Sequence, residues 1–565
     1  MKSRLRRTAA TAMVLAGVCA GYTNARADSG DEWVTYGGDT SNTRYSTLSQ
    51  INTQNVTGLR VAWMRSLGSL ESQESTPLVI NGVMYVTSSA GPKTIFALNA
   101  KDGSIKWTYE PDIPEDFKQY TCCGIGNRGL AYKDGKLFVG RLDSKLTALD
   151  AETGRELWTT QVNDYKQGAG ITSPPMLIKD LVITGYTGGE FGVRGALQAY
   201  KQSDGSLVWR TYSTPLPGEP GSETWKGDSG KNGGGTFWNV GAYDAKLNLL
   251  YWGTGNAGPW STEPRGASKP DIGQYTNLHT ASTLALNPET GKIVWSYQDT
   301  PADAWDYDGV NEQVLADIDI KGRVEHTLLK AGRNGFFYVM NRETGKIISA
   351  KPYVETNWAT GVDPESGRPI EGVGKRPFLN VWAKDVCPSL FGGKQWPPVS
   401  YSPDTGLVYI PAMEMCMDIM GKEEQKKTGK FYLGADFRMD TPPQRPDPGR
   451  LLAWDPVNQK TAWVIKEDLP LLGGTMTTKG GLVFYGNIRG FLHAVDAKSG
   501  QVLWKFNLGT GVNQSPITYM IDGKQYLAVV AGRGAGAVSF MGKAGERAIA
   551  ASPLGGYVVV FALDK

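Results

Sequence analysis

Two aspartates stand two residues apart in the segment Ala304-Trp305-Asp306-Tyr307-Asp308. On a strand, positions i and i+2 project to one side, so both carboxylates could face one ion. Oxygen donors carrying that much negative charge suit a hard cation. Zinc bound by histidines is a poor alternative, because His279, His326 and His493 are the only histidines and are widely scattered. The second unusual feature is the adjacent pair Cys122-Cys123. A bond between adjacent cysteines closes a strained eight-membered ring but no loop, so it is hard to justify as a staple. Free thiols or separate pairings are the alternative. With Cys19 assigned to a leader, Cys122, Cys123, Cys387 and Cys416 remain, an even number that reads as two disulfides in an oxidising compartment. The chain contains no Cys-x-x-Cys-His, which excludes covalent c-type haem.

A repeat must position these groups. The pattern Ala-apolar-Asp/Asn, then Gly, then Trp recurs as Ala97-Leu98-Asn99 to Gly103 and Trp107, and as Ala148-Leu149-Asp150 to Gly154 and Trp158. It returns at Ala199-Tyr200 to Gly205 and Trp209, at Ala285-Leu286-Asn287 to Gly291 and Trp295, and at Ala494-Val495-Asp496 to Gly500 and Trp504. Weaker copies run from Val339-Met340-Asn341 to Gly345 and from Ala453-Trp454-Asp455 to Trp463. Each copy reads as a hairpin whose glycine supplies a positive φ, with the tryptophan placed to pack on the neighbouring repeat's turn. An eighth copy is split: Phe561-Ala562-Leu563-Asp564 supplies the front half and Thr57-Gly58 through Trp63 the back half. The expected fold is therefore all-β, an eight-bladed β-propeller with tryptophan-docking repeats, closed by its two ends so that no sheet edge is left exposed.

Residues 1–27 read as a secretory signal: a basic start, an Ala-rich apolar stretch, then Ala25-Arg26-Ala27. Residues 28–565 then form one domain. The apolar run is too short for a membrane span. The leader holds five of the 59 basic residues (Lys2, Arg4, Arg6, Arg7, Arg26) and no acidic one, leaving 54 against 56 acidic residues. A near-neutral chain without a Lys/Arg tract gives no electrostatic footprint for nucleic acid.

These residues resemble the PQQ-dependent methanol and ethanol dehydrogenases over essentially the whole mature chain. The segments that carry the resemblance are Thr121-Cys122-Cys123-Gly124-Ile125-Gly126-Asn127-Arg128-Gly129, Thr187-Gly188-Gly189-Glu190, Gly253-Thr254-Gly255-Asn256 and Trp305-Asp306-Tyr307-Asp308. The resemblance implies that a Cys122–Cys123 ring lies flat on PQQ, with Trp238 as the opposite floor. It implies that Arg128 pairs with a PQQ carboxylate, and that Glu74, Thr172, Thr187 and Arg333 also contact the cofactor. Glu190, Asn256 and Asp306 match the metal ligands, Asp306 the catalytic base, and Trp260 a wall of the substrate pocket. Asp308, where calcium-dependent relatives usually carry Ala, Ser or Thr, matches the lanthanide-dependent branch; calcium is the alternative. Cys387 and Cys416 match a second disulfide.

The same resemblance implies a periplasmic enzyme that oxidises an alcohol and passes electrons to a soluble cytochrome c or another external acceptor. A homodimer is compatible with it. Two positions depart from the pattern: Met413 stands where relatives commonly carry Asn, and Leu472 where many carry Trp. The region 539–553 also lacks the aromatic closure expected of a strict methanol enzyme. The competing readings are a quinoprotein sugar or aldose dehydrogenase, which changes only the substrate, and a non-enzymatic envelope scaffold. A scaffold has no reason to keep the adjacent cysteines together with Glu190, Asn256 and Asp306.

Overall fold

The computed structural model describes residues 30–70, 72–89, 94–267, 272–441, 446–534 and 536–564. The expected leader, residues 1–27, lies outside them. Among the described residues, eight sheets each hold four antiparallel strands in meander order. Seven occupy residues 78–109, 131–161, 176–212, 242–298, 314–352, 400–467 and 475–507, the last extended by a short parallel strand, Tyr45–Ser46. The eighth draws on both ends of the chain: Tyr557–Leu563 pairs antiparallel with Leu59–Ser66, Leu59 facing Leu563.

The repeated motif has a repeated geometry. Between the third and fourth strands of every one of these sheets the register slips by one residue, at Ala97/Leu98 in the first and Val61/Trp63 in the eighth. A bulge of this kind adds local twist. The turn glycines adopt positive φ, 71° at Gly103 and 73° at Gly154. In the weak copy that lacks a turn glycine, Gln459 takes that conformation at 52°. Each tryptophan leaves its own sheet for the next one: the Trp63 indole donates to Ala100 O at 3.2 Å, Trp107 to Ala151 O at 3.1 Å, and Trp158 to Gln202 O at 3.1 Å. Ser349 occupies the tryptophan register of the fifth sheet, opposite Val339. There the sixth sheet is met instead by Phe337 against Trp454, with ring centroids 5.7 Å apart.

Strands in the middle of a sheet are buried on both faces, as in Leu249–Gly253, whereas fourth strands alternate, as in Lys460–Glu467. Among the described residues, a two-stranded sheet (Ala359–Val362, Pro369–Glu371), a three-stranded sheet and a helix interrupt the repeat. The three-stranded sheet joins Trp382–Val386, just before the sixth unit, to Cys416–Gly421 and Ala435–Asp440 inserted within it, and the Cys387–Cys416 disulfide links its first two strands. The helix Gly542–Ala551 packs Ala544 and Ala548 into the cluster that contains Met439 of that insert.

Tryptophan-on-glycine packing predicts a graded response. A Cβ on Gly154 would lie 2.5 Å from the Trp107 ring, whereas one on Gly135, also at positive φ, would meet nothing within 4 Å. Gly135→Ala should therefore cost only the backbone term, about 1 kcal/mol. Gly154→Ala adds steric overlap and should cost about 3 kcal/mol. Equal shifts in Tm for the two variants would contradict this account.

Candidate active site

In a meander, the start of the first strand and the turn between the second and third lie at the same end of the sheet. Glu74, Arg128, Thr172, Trp238, Asp306 and Asp308 precede a first strand; Thr187, Glu190, Asn256 and Arg333 lie between a second and a third. The sheets thus carry residues from distant parts of the chain to one place. A single cavity is lined by Glu74, Cys122, Cys123, Arg128, Thr172, Thr187, Glu190, Trp238, Trp260, Asp306, Asp308 and Arg333. Asn256 is buried directly behind it, its backbone N–H donating to Asp308 Oδ1.

The aspartate pair reaches the cavity by a route other than the one expected. Residues 304–312 form a loop and not a strand, and Asp306 has a left-handed φ of 66°. Strand alternation therefore does not align the two carboxylates. Asp303, which the sequence reading passed over, holds the loop: its carboxylate accepts the N–H of Trp305 at 3.0 Å and of Tyr307 at 3.0 Å, clasping Asp306 between them. Arg265 anchors the same turn through Asp303 O at 2.6 Å, and Lys330 binds Gly309 O at 2.6 Å further along. Asp303 begins the run Asp-Ala-Trp-Asp-Tyr-Asp, and the tendency of aspartate to bond backbone N–H groups two or more residues on is the signal that could have found it.

Arg333 bonds both aspartates, Asp306 Oδ2 at 2.8 Å and Asp308 Oδ2, while its Nε donates to Leu390 O. Trp238 lines the same cavity as Asp308 and favours its ionised form, against the rise that burial imposes. One guanidinium thus faces the three carboxylates of Glu190, Asp306 and Asp308. Burial, reinforced by Asp308, pushes Glu190 up to about 6. Burial raises Asp306 well above the ordinary carboxylate range; Arg333 opposes this, and Asp308 and Glu190 add to it. Asp306 Oδ1 has no hydrogen-bond partner among the described residues. The Asn256 Nδ2 donates to Ala257 O at 3.2 Å, and a Cβ on Gly189 would lie 3.1 Å from its Oδ1, so a side chain there would crowd that oxygen beside the Glu190 loop. This donor set fits a hard cation: oxygen only, negatively charged and short of positive partners. The three carboxylates do not all lie within 4.8 Å of one another, since Arg333 spans the two aspartates.

The other half of the cavity holds a disulfide, a tryptophan and an Arg128–Glu74 ion pair. Cys122 and Cys123 are joined in a disulfide and line it together with Trp238. Arg128 contacts Glu74 at 3.1 Å, donates to Thr172 Oγ1 at 2.7 Å and stacks on Trp396, with 4.4 Å to the ring centroid. Thr187 Oγ1 accepts Gly170 N–H at 3.1 Å. The Arg128 Nε and the Asn513 Oδ1 are buried without partners among the described residues, which leaves one donor for a carboxylate or carbonyl and one acceptor for an N–H or O–H of a bound molecule.

The sequence reading missed Trp396 and Asn513, which belong to no recurring motif. It also missed the apolar wall of Phe431, Leu433, Phe437 and Phe540. Phe540 corrects one expectation, because it supplies an aromatic side chain at the cavity from within the region 539–553. Of the two departures, Leu472 lines the cavity, whereas Met413 is buried in a strand and does not.

A propeller-type all-β framework that brings a carboxylate cluster beside a vicinal disulfide and a tryptophan defines a quinoprotein dehydrogenase. Residues 33–356 and 445–527 match the family described as PQQ: glucose/ethanol/alcohol dehydrogenase, beta-propeller domain. The chain is 42% identical over 526 residues to a lanthanide-dependent methanol dehydrogenase of Methylacidiphilum fumariolicum, covering 89% of this chain and 85% of that protein. It is 40% identical to the quinoprotein alcohol dehydrogenase PedH of Pseudomonas putida, covering 94% of this chain and 91% of the relative. The solved structure of a europium-containing methanol dehydrogenase superposes with a TM-score of 0.90 at 40% identity, covering 94% of this chain and 98% of that one. The chain belongs to the PQQ-dependent alcohol dehydrogenase family.

The clasp around Asp306 generates a prediction. Asp303→Ala removes both acceptors and should lower kcat by about 10²-fold, the cost expected of a misplacement near 1 Å. Asp303→Asn keeps one acceptor and should fall between Ala and wild type. Steady-state kinetics of the two purified variants check this, and identical activities would remove Asp303 from the account.

Proposed function

We propose that this chain is an eight-bladed, lanthanide-using alcohol dehydrogenase of the periplasm that binds PQQ between the Cys122–Cys123 disulfide and Trp238. The observation that carries this reading is the set of Asp306, Asp308 and Asn256, all buried, and the half-buried Glu190, gathered around a single guanidinium at the edge of that slot. The blade count is supported by the eight four-stranded sheets, by the one-residue bulge in each, and by the pairing of the chain's two ends.

When bound, PQQ supplies the two-electron acceptor and the metal a Lewis acid. Glu190, Asp306, Asp308 and Asn256 would hold the metal. Arg128, Glu74, Thr172 and Thr187 would hold the cofactor's polar edge, and Trp238 and the disulfide its faces. Asp306 takes the proton of the substrate hydroxyl, its unpartnered Oδ1 being the available acceptor. Arg333, already bonded to Asp306, offsets negative charge that grows beside it. Trp260, Phe431 and Phe437 exclude water from the reacting end. Electrons would pass to an external acceptor such as a soluble cytochrome c. No helix among the described residues is long and apolar enough to cross a membrane.

Two experiments test the reading. Asp306→Asn should retain PQQ, seen as quinone absorbance in the purified protein, while kcat falls by about 10²–10⁴-fold, the range of a lost general base. Near wild-type turnover would end the assignment. For the metal, three protein carboxylates suit a trivalent ion better than calcium. Reconstitution with PQQ and a light lanthanide should exceed reconstitution with calcium in the wild type. Asp308→Ala should abolish that advantage. Equal or better turnover with calcium in the wild type would favour a calcium enzyme and leave the PQQ site standing.

A further inference from the structure

The loop that carries Glu190 also borders a second cavity. Its lining includes Gly192, Arg194, Arg210, Lys231 and Lys426, four cationic side chains, and no carboxylate among the described residues. Two of the cations are neutralised from outside the lining. Arg194 pairs with Glu219 at 2.5 Å, and Lys231 pairs with Asp228 at 2.6 Å. The other two are held by neutral groups. The Arg210 Nε donates to Gln198 Oε1 at 3.0 Å, and Gln198 is only 1% exposed. The Lys426 ammonium donates to Gly192 O at 2.8 Å and to Asn232 Oδ1 at 2.7 Å. Carbonyl and amide partners fix direction without cancelling charge, so both cations keep their positive charge for a third party. Arg194 is positioned as well, its guanidinium 3.8 Å from the Tyr212 ring centroid and its Nε bonded to Thr214 O. Burial, with Lys231 as a second cause, lowers the Lys426 pKa, the direction expected when no acid lies near.

Flexible surface lysines and arginines do not make a site, because ordering them on binding costs entropy. Arg210 and Lys426 are exposed at the cavity, and each is already directed there by its neutral partners. An excess of two positive charges is held in a concavity by a buried glutamine, a backbone carbonyl and an asparagine. Guanidinium and ammonium groups arranged in this way recognise oxyanions by charge-assisted hydrogen bonds.

We propose that this cavity is a binding site for a small free oxyanion, with Arg210 and Lys426 as its principal ligands. The site is separate from the PQQ and metal cavity, with which it shares no lining residue. The two are mechanically adjacent: Lys426 grips Gly192, Tyr432 N–H donates to Glu190 O at 2.7 Å, and Phe431 stacks on Phe191 with centroids 4.9 Å apart. An anion drawn to Lys426 therefore loads the same clamp that holds the Glu190 loop.

The test is titration calorimetry of the holoenzyme with sulfate, which spares the metal from precipitation, against chloride at matched ionic strength. Saturable binding at one site per chain is expected for sulfate and not for chloride. Arg210→Gln and Lys426→Gln should each weaken it at least tenfold, while Arg210→Lys keeps most of the affinity. Arg210→Gln should leave alcohol turnover without sulfate unchanged, which also shows that the variant is folded. Absence of saturable sulfate binding to the wild type would overturn the proposal. So would equal affinity in wild type, Arg210→Gln and Lys426→Gln, since the ion would then be bound elsewhere.

Discussion

Two buried carboxylates and a half-buried third gathered around one guanidinium are costly to assemble, because each charge loses hydration and the repulsion among them is only partly offset. Glu190, Asp306 and Asp308 are in this position, with Arg333 as their common partner. Left to itself, such a group would move apart or take up protons, and the raised pKa values of Glu190 and Asp306 express that tendency. The surrounding structure can be understood as what prevents the separation. Asp303 clasps the Asp306 loop by two backbone N–H groups, Lys330 and Arg265 pin its carbonyls, and Tyr432 holds the Glu190 loop by its carbonyl.

A framework able to impose that constraint must be stiff in the plane where the loops converge. Propeller-type repetition provides this with little local specialisation. Each sheet places two loop positions at one end, and Trp63, Trp107, Trp158, Trp209, Trp295 and Trp463 each meet a glycine turn of the following sheet where a Cβ would overlap the ring, while Trp504 meets Phe561 instead. The one junction without the tryptophan, between the fifth and sixth sheets, replaces it with Phe337 on Trp454. The same sixth unit accepts the disulfide-tied insert, whose strand Ala435–Asp440 packs against the helix Gly542–Ala551. The apolar cover of the cavity thus comes from additions to the repeat, while the polar floor comes from the repeat itself.

That division bears on the chemistry. The floor positions charge: Arg128 with Glu74 and Thr172 on one side, Arg333 with the aspartates on the other. The cover, Phe431, Leu433, Phe437 and Phe540, carries no charge and sets the dielectric in which the floor operates. In a low-dielectric site, fixed charges act more strongly than they would in water. Loops of the floor also serve two cavities, since the stretch that presents Glu190 on one side offers Gly192 O to Lys426 beside the other.

Sequence alone determined the features that depend on short-range pattern. Period-two strands, glycine turns and tryptophans at a constant offset reveal the repeat, and adjacent cysteines beside Arg128 mark one part of the cavity, because these signals survive in a few consecutive residues. The split eighth repeat was also legible, since its halves keep the motif even at opposite ends of the chain. Strand alternation as the reason for Asp306 and Asp308 facing one place was not correct; the pair is aligned by a left-handed residue and a side-chain clasp. Asp303, Trp396, Asn513 and Phe540 were invisible for a related reason. They occur once each, outside the repeat, and become neighbours of the site only when sheets from distant parts of the chain are brought together. The electrostatic balance of the site is likewise a tertiary property. It depends on Arg333 lying between two aspartates from another loop, a distance that no local pattern of residues encodes.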